Sequence, residues 1–295
     1  MKPRILTAFV LIPPVLYLLY GAPLWLFLLV LLAVVGGALY EYLGIARQTG
    51  ARSLPFIAYA AGGLLCAGQC ADLKGKNSLV PVLLAAALLA TMFVALLHTK
   101  DLKEYMGTVS STILGIIYVG FPLSCLVPLG FDSRIAATTV WAFTGKVAPM
   151  EPLAPLRSGR ELLVFLFLIV WAGDAVAYFI GRALGRTPLL PRVSPSKTVE
   201  GSVGGLLGSL LIGWAFAQWR WPGVDWWRVT LVAGFIAAAG QAGDLAESAL
   251  KRGSNIKDSG ALLPGHGGLL DRMDSLLFAI PALWAVLALG ASFKC

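Results

Sequence analysis

Apolar residues along this chain gather into long blocks, broken by short clusters of charge, glycine and proline. Taken between those breaks, the blocks run over 4–20, 23–43, 54–71, 79–97, 108–129, 161–181, 202–220, 228–250 and 269–290. Each is close to the ~20 residues that a helix rising ~1.5 Å per residue needs to cross ~30 Å of hydrocarbon. The blocks are continuous, not alternating, so the pattern predicts an all-α polytopic membrane protein with about nine transmembrane helices. Only Gly21-Ala22-Pro23 separates the first two blocks, and a reentrant hairpin is the alternative there.

Composition agrees with that pattern. Of the 295 residues 58% are hydrophobic and 13% charged, with a mean hydropathy of +0.81, against roughly 25% charged in soluble domains. The net charge of +8 does not call for nucleic acid, because in such a chain Lys and Arg mark cytoplasmic loops and sites for phosphate-bearing ligands. Cys66, Cys70 and Cys125 sit within apolar blocks and read as small buried hydrophobes. MKPR followed by an apolar run resembles a signal peptide, but Pro13-Pro14 interrupts the run and an uncleaved first span is expected.

With the N-terminus inside, 14 of the 23 Lys and Arg fall on the cytosolic side, as the positive-inside bias requires. The loops over 182–200 and 251–268 then share that face. Three regions follow: N-terminal transmembrane helices over 1–130, an extracytoplasmic loop or interfacial helix over 131–160, and a C-terminal catalytic region over 161–295. Within the middle region, Ile135 to Thr144 is apolar but too short to cross. Trp219, Trp221, Trp226 and Trp227 read as an interfacial aromatic belt. Gly201, Gly204, Gly205 and Gly208 repeat small residues at the spacing that lets helices approach closely.

The ionisable chemistry is concentrated from Gln241 to Ser275. Five of the 15 acids lie there (Asp244, Glu247, Asp258, Asp271, Asp274), with Lys251, Arg252, Lys257, Arg272 and His266. Asp244, Glu247, Ser248 and Lys251 share one helical face, as do Asp271 and Asp274, with Ser275 beside them. Carboxylates at membrane depth are costly and usually face a watered cavity. Three of them on two helix ends, with oxygen ligands only, would suit a hard cation such as Mg²⁺. Surface ion pairs with Lys251, Arg252 and Arg272 are the plainer reading. Against it stands the loop with Lys257, Asp258 and Pro264-Gly265-His266-Gly267-Gly268, whose glycines let amides approach a phosphate and which opens onto a helix N-terminus. His266 is a candidate phosphate donor or proton carrier.

Upstream, Asp174 and Tyr178 occupy one helical face, and Ser194, Lys197, Thr198 and Glu200 lead into the seventh block. Lys197 and Thr198 would suit phosphate or nucleotide contact. For Asp174 a substrate role and a structural pair with an Arg or Tyr stand equal.

The run Ser248-x-Leu250-Lys251-Arg252, then Lys257-Asp258-x-Gly260, then Leu263-Pro264-x-His266-Gly267-Gly268-Leu269-x-Asp271-Arg272-Met273-Asp274 resembles the signature of the phosphatidate cytidylyltransferases, or CDP-diacylglycerol synthases. Gly243-Asp244-Leu245-x-Glu247-Ser248 and the block from Asp174 to Gly201 resemble that family too. The resemblance implies a dimeric membrane enzyme that joins phosphatidate and CTP, releases pyrophosphate and uses Mg²⁺, with a second cation left open. It assigns Asp244, Asp271 and Asp274 to the metal, and Lys251, Arg252, Lys257 and Arg272 to the substrate phosphates. The expected setting is a plasma or bacterial inner membrane with the active site at the cytosolic ends of the C-terminal spans. Another membrane lipid phosphotransferase or nucleotidyltransferase is the nearer alternative. An ion-coupled transporter is the farther one, lacking an evident inverted repeat.

Overall fold

The structure is a computed structural model that describes residues 13–73, 75, 78–144, 159–221, 223–262 and 267–292. It is helical almost throughout: α1 (residues 13–20), α2 (Leu24–Gln48), α3 (Pro55–Asp72), α4 (Val80–His98), α5 (Leu102–Gly115), a π-turn (Ile116–Gly120), α6 (Phe121–Ser124), α7 (Leu126–Phe131), α8 (Ser133–Thr144), α9 (Gly159–Leu184), α10 (Val199–Arg220), α11 (Trp226–Gly253) and α12 (Leu270–Ser292). Among the described residues, six helical stretches are long and apolar enough to cross a membrane: Leu24–Gln48, Val80–His98, Leu102–Phe131, Gly159–Leu184, Val199–Arg220 and Trp226–Gly253. These coincide with six of the expected blocks, and α3 and α12 cover two more. Of the block over 4–20, only 13–20 is described and is helical. The chain is an all-α polytopic membrane protein.

Two compact units divide it: Met1–Val127 with Leu250–Met273, and Pro128–Ala249 with Asp274–Cys295. In the first, Leu39 and Leu43 of α2, Leu65 of α3, Ile116 of the π-turn and Leu123 of α6 are buried. Pro55 starts α3 where a missing N–H costs nothing, and Asp101 caps α5 by accepting from the Lys103 amide at 2.9 Å. The π-turn ends two residues before Pro122, which has no N–H to continue the ladder, and the chain widens by one residue ahead of it. Gly115 lets the Tyr42 ring lie against α5, and the Tyr42 hydroxyl donates to the Ser111 carbonyl at 3.0 Å.

In the second unit α9 and α10 pack along their small-residue faces. A Cβ on Gly205 would lie 2.8 Å from the Gly173 carbonyl and from Ala177 Cβ, and one on Gly208 2.8 Å from Val176, which bears out the expected close approach. Ser209 at the same seam donates to the Ile169 carbonyl at 2.9 Å. Between the two helices lies an unexpected antiparallel hairpin, β1 (Pro188–Leu190) and β2 (Ser194–Thr198), pairing Pro188 with Thr198 and Leu190 with Ser194. Thr198 then caps α10 by accepting from the Gly201 amide at 3.1 Å.

The aromatic belt needs one correction. Trp219, Trp226 and Trp227 are exposed, but Trp221 is buried at 1% exposure. It packs against Phe143, Phe165 and Phe216 and donates its indole N–H to buried Glu161 at 2.8 Å. A buried acceptor for its one polar atom is what lets this indole leave the interface. Phe143 brings α8 into the same cluster, so the helix expected near 135–144 exists and is anchored in the core.

Candidate active site

The residues singled out in the sequence fall into two acidic clusters, one in each unit. The second unit's cluster gathers Asp174 from α9, Lys197 from β2, Asp244 and Glu247 from α11, and Asp274 and Ser275 from α12. Lys197 Nζ pairs with the Asp244 carboxylate. The Ser275 hydroxyl donates to Asp174 Oδ2 at 3.3 Å, and the Ser275 amide to Asp274 Oδ1 at 2.7 Å. Asp274 lies within electrostatic reach of Asp244, Glu247 and Asp174, and Glu247 is fully buried. Beside Asp174 a water-sized cavity of about 10 Å³ is lined by Gly173, Ser209, Gly240 and Gln241. Gln241 is oriented by Ser202, whose hydroxyl donates to its side-chain oxygen and whose carbonyl accepts from its amide at 2.9 Å.

The first unit's cluster is built on the turn after α11. That helix ends where Asn255 adopts φ 56°, the left-handed conformation of a helix stop, with the Ile256 amide returning to the Lys251 carbonyl at 3.0 Å. Arg252 donates to the Ile256 carbonyl at 3.0 Å, closing the same turn from outside. Lys251 pairs with Asp271. The Asp271 carboxylate also accepts from the Ser259 amide and the Gly268 amide, each at 3.0 Å.

This turn holds a residue absent from the sequence-derived set. Glu41 of α2 is 2% exposed. Its Oε2 accepts from the Leu270 amide at 2.8 Å and from the Ser259 hydroxyl at 2.9 Å. A lone acid inside an apolar block was the available signal.

The remaining candidates are placed less centrally. Lys257, Asp258 and Arg272 are exposed, Ser248 is half-buried and Ser194 is buried in β2. Tyr178 is exposed and its hydroxyl accepts from Arg182 at 3.1 Å. Glu200 accepts from the amides of Arg186 and Thr187 at 3.1 and 3.2 Å, fastening the hairpin to α10. Gly267 has φ +80°, which a side chain would resist. His266, with Pro264 and Gly265, lies outside the described residues.

One expectation changes in kind. The amides at the start of α12 were expected to face a phosphate, yet Leu270 N–H is given to Glu41, and Gly268 N–H to Asp271. The protein's own carboxylates occupy that helix N-terminus.

Whether the residues suit a divalent cation turns on donor chemistry. Asp174, Asp244, Glu247 and Asp274 offer hard carboxylate oxygens, and carboxylates so close repel one another unless a cation or proton intervenes. Among the described residues no three Asp, Glu, His or Cys side chains converge as a ligand set, since Asp244 is turned to Lys197. Carboxylate oxygens are the donor type that a hard cation takes, and a cation here would have to compete with that lysine.

Comparison with known proteins places the chain in a class. It belongs to the cytidylyltransferase family, whose family model matches residues 2–289. Over 131 residues it is 44% identical to the phosphatidate cytidylyltransferase of Bacillus subtilis (strain 168), covering 44% of this chain and 49% of that protein. Over 125 residues it is 45% identical to the phosphatidate cytidylyltransferase of Staphylococcus epidermidis (strain ATCC 12228 / FDA PCI 1200), and 43% identical to that of Staphylococcus aureus (strain COL), covering 42% of this chain and 48% of each. The chain thus spans about half the length of the curated relatives it matches.

Proposed function

We propose that this protein is a phosphatidate cytidylyltransferase, converting CTP and phosphatidate to CDP-diacylglycerol and pyrophosphate. The observation that carries the reading is the segment from Asp244 to Asp274, where carboxylates and lysines are held at helix ends that border apolar spans. A phosphate oxygen of the lipid attacks the α-phosphorus of CTP, the bond from that phosphorus to the β-phosphate oxygen breaks, and pyrophosphate leaves. Such a transfer needs positioning and charge neutralisation more than a strong base.

In this reading Lys197, Lys251, Arg252, Lys257 and Arg272 neutralise substrate phosphates. Lys197 and Lys251 are held in place by Asp244 and Asp271 until substrate competes for them. Asp244 and Asp274 are the carboxylates that would hold Mg²⁺, while Asp271, in the other unit, is given to the metal by the family resemblance alone. Bound there, Mg²⁺ would offset charge on the triphosphate. Asp174 is oriented by Ser275. The reading also places the 182–200 and 251–268 loops at the cytosolic face, where soluble CTP arrives, and the working form as a homodimer.

The test is purified protein with labelled CTP, phosphatidate and Mg²⁺, scored for CDP-lipid and pyrophosphate. Formation of both in equal amounts is expected. Turnover of CTP with a different lipid acceptor but not with phosphatidate would overturn the substrate assignment.

A further inference from the structure

Ser259 and Leu270 belong to the signature segment, and their shared partner, Glu41, lies 218 and 229 positions away on α2. Glu41 is buried at 2% exposure within a largely apolar helix, and its Oε2 accepts a hydrogen bond from each of them. Its other oxygen, Oε1, has no hydrogen-bond partner among the described residues. A Cβ added at Gly260 or Gly268 would run into this carboxylate. The two glycines of the signature therefore make room for Glu41.

The bonds continue from Glu41 toward Asp271. Ser259, which donates its hydroxyl to Glu41, accepts from the Asp271 amide at 3.3 Å and gives its own amide to the Asp271 carboxylate at 3.0 Å. Gly268 gives its amide to the same carboxylate at 3.0 Å, and Lys251 pairs with it. A negative side chain at a helix N-terminus is favourable through both the free amides and the helix dipole. A buried carboxylate without such donors would be strongly disfavoured.

From this chain of contacts we propose that Glu41 is a positioning residue. It fixes Ser259 and the first turn of α12, and through Ser259 it sets the orientation of the Asp271 carboxylate and hence of Lys251. It also fills the electropositive helix end, so that phosphate is directed to the lysine and arginine side chains. The part of this that concerns turnover rests on the function proposed above, while the part that concerns the turn does not.

The experiment pairs hydrogen exchange with kinetics on the full chain in lipid nanodiscs. Glu41→Ala is expected to lower protection of peptides covering 259–272 by about tenfold or more, with α3 and α4 unchanged. It should cut kcat by about tenfold or more while KM for CTP stays within about threefold. Glu41→Gln keeps a carbonyl oxygen that can accept both donors, and should restore protection and bring kcat to within about threefold of the unaltered protein. Ser259→Ala reads the same contact should Glu41→Ala fail to accumulate, and is expected to loosen 259–272 alone. Unchanged protection of 259–272 in both alanine variants would overturn the proposal. So would loosening spread evenly over α2, α3 and α4, with Gln no better than Ala. Because exchange is read without substrates, absence of cytidylyl transfer would leave the structural half of the proposal standing or falling by itself.

Discussion

The two acidic clusters differ in how their charge is answered. The Asp271 carboxylate is met by two backbone amides and a lysine, and Glu41 by a backbone amide and a serine hydroxyl. Around Asp274 the neighbours are other acids, Asp244, Glu247 and Asp174, with Ser275 and Lys197 at the margin. Donors that are part of the fold make a cluster rigid without any ligand, whereas like charges gathered together are relieved by a proton or a bound cation. The first cluster reads as a support, and on the function proposed above the second would receive cations.

The sharpest way to break that contrast is to remove charge from the second cluster. Asp244→Asn or Asp274→Asn, each close in size to the original, should lower turnover by about 10²-fold or more, the scale of losing a key electrostatic stabiliser. Chelation of divalent ions should do the same to the unaltered protein and add nothing to the variants. Near-normal, Mg²⁺-dependent turnover by folded Asp274→Asn protein would end the assignment.

A smaller loss is expected from the lysine of the first cluster. Lys251→Ala should reduce kcat/KM for CTP by roughly tenfold, as for a partly desolvated phosphate contact, and Lys103→Ala, exposed at the start of α5, should leave it unchanged. An anchoring role on an anionic leaflet is worth only ~1 kcal/mol per charge and is shared among cations. Steady-state kinetics with varied CTP separates the two, and equal behaviour of both variants would remove the phosphate role.

Topology gives a test without any change in rate. Cysteines introduced at Ser196 and Asp258, both exposed, in a background without native cysteines should react with an impermeant thiol reagent from the cytosolic side only. Labelling from opposite sides would separate the clusters functionally. The smallest effect concerns the scaffold. Thr198→Ala removes the cap of α10 and should cost ~1 kcal/mol of stability, seen as a lower thermal midpoint.

Much of the fold was legible because membrane spans announce themselves by length and hydropathy, and the helical spacing of Asp244, Glu247, Ser248 and Lys251 is readable one turn at a time. What escaped depended on distant partners. Glu41 looks like one acid near the end of an apolar block until the Ser259 hydroxyl, 218 residues later, supplies its donor. Trp221 was indistinguishable from its exposed neighbours because the buried Glu161 that accepts its N–H lies 60 positions upstream. The hairpin from Pro188 to Thr198 hides in a proline-rich polar loop, since its strands are too short to alternate visibly. Its register depends on the Val199 amide reaching the Thr187 carbonyl at 2.9 Å and on Glu200 folding back.

The seam between α9 and α10 has a practical consequence for anyone wishing to make this protein hardier. Replacing helical glycine with alanine is a common stabilising move, worth ~0.4–1 kcal/mol where the backbone tolerates it, because the unfolded chain loses freedom. At Gly205 and Gly208 that remedy would drive a methyl group against Gly173 and Val176 and force the helices apart, with a penalty of ~1–3 kcal/mol. Gly36 and Gly44 of α2, Gly63 of α3 and Gly107 of α5 have open space where a methyl would go. Thermostabilising libraries should therefore be drawn from the N-terminal helices, leaving the α9–α10 contact as a stretch where the smallest side chain is already the best.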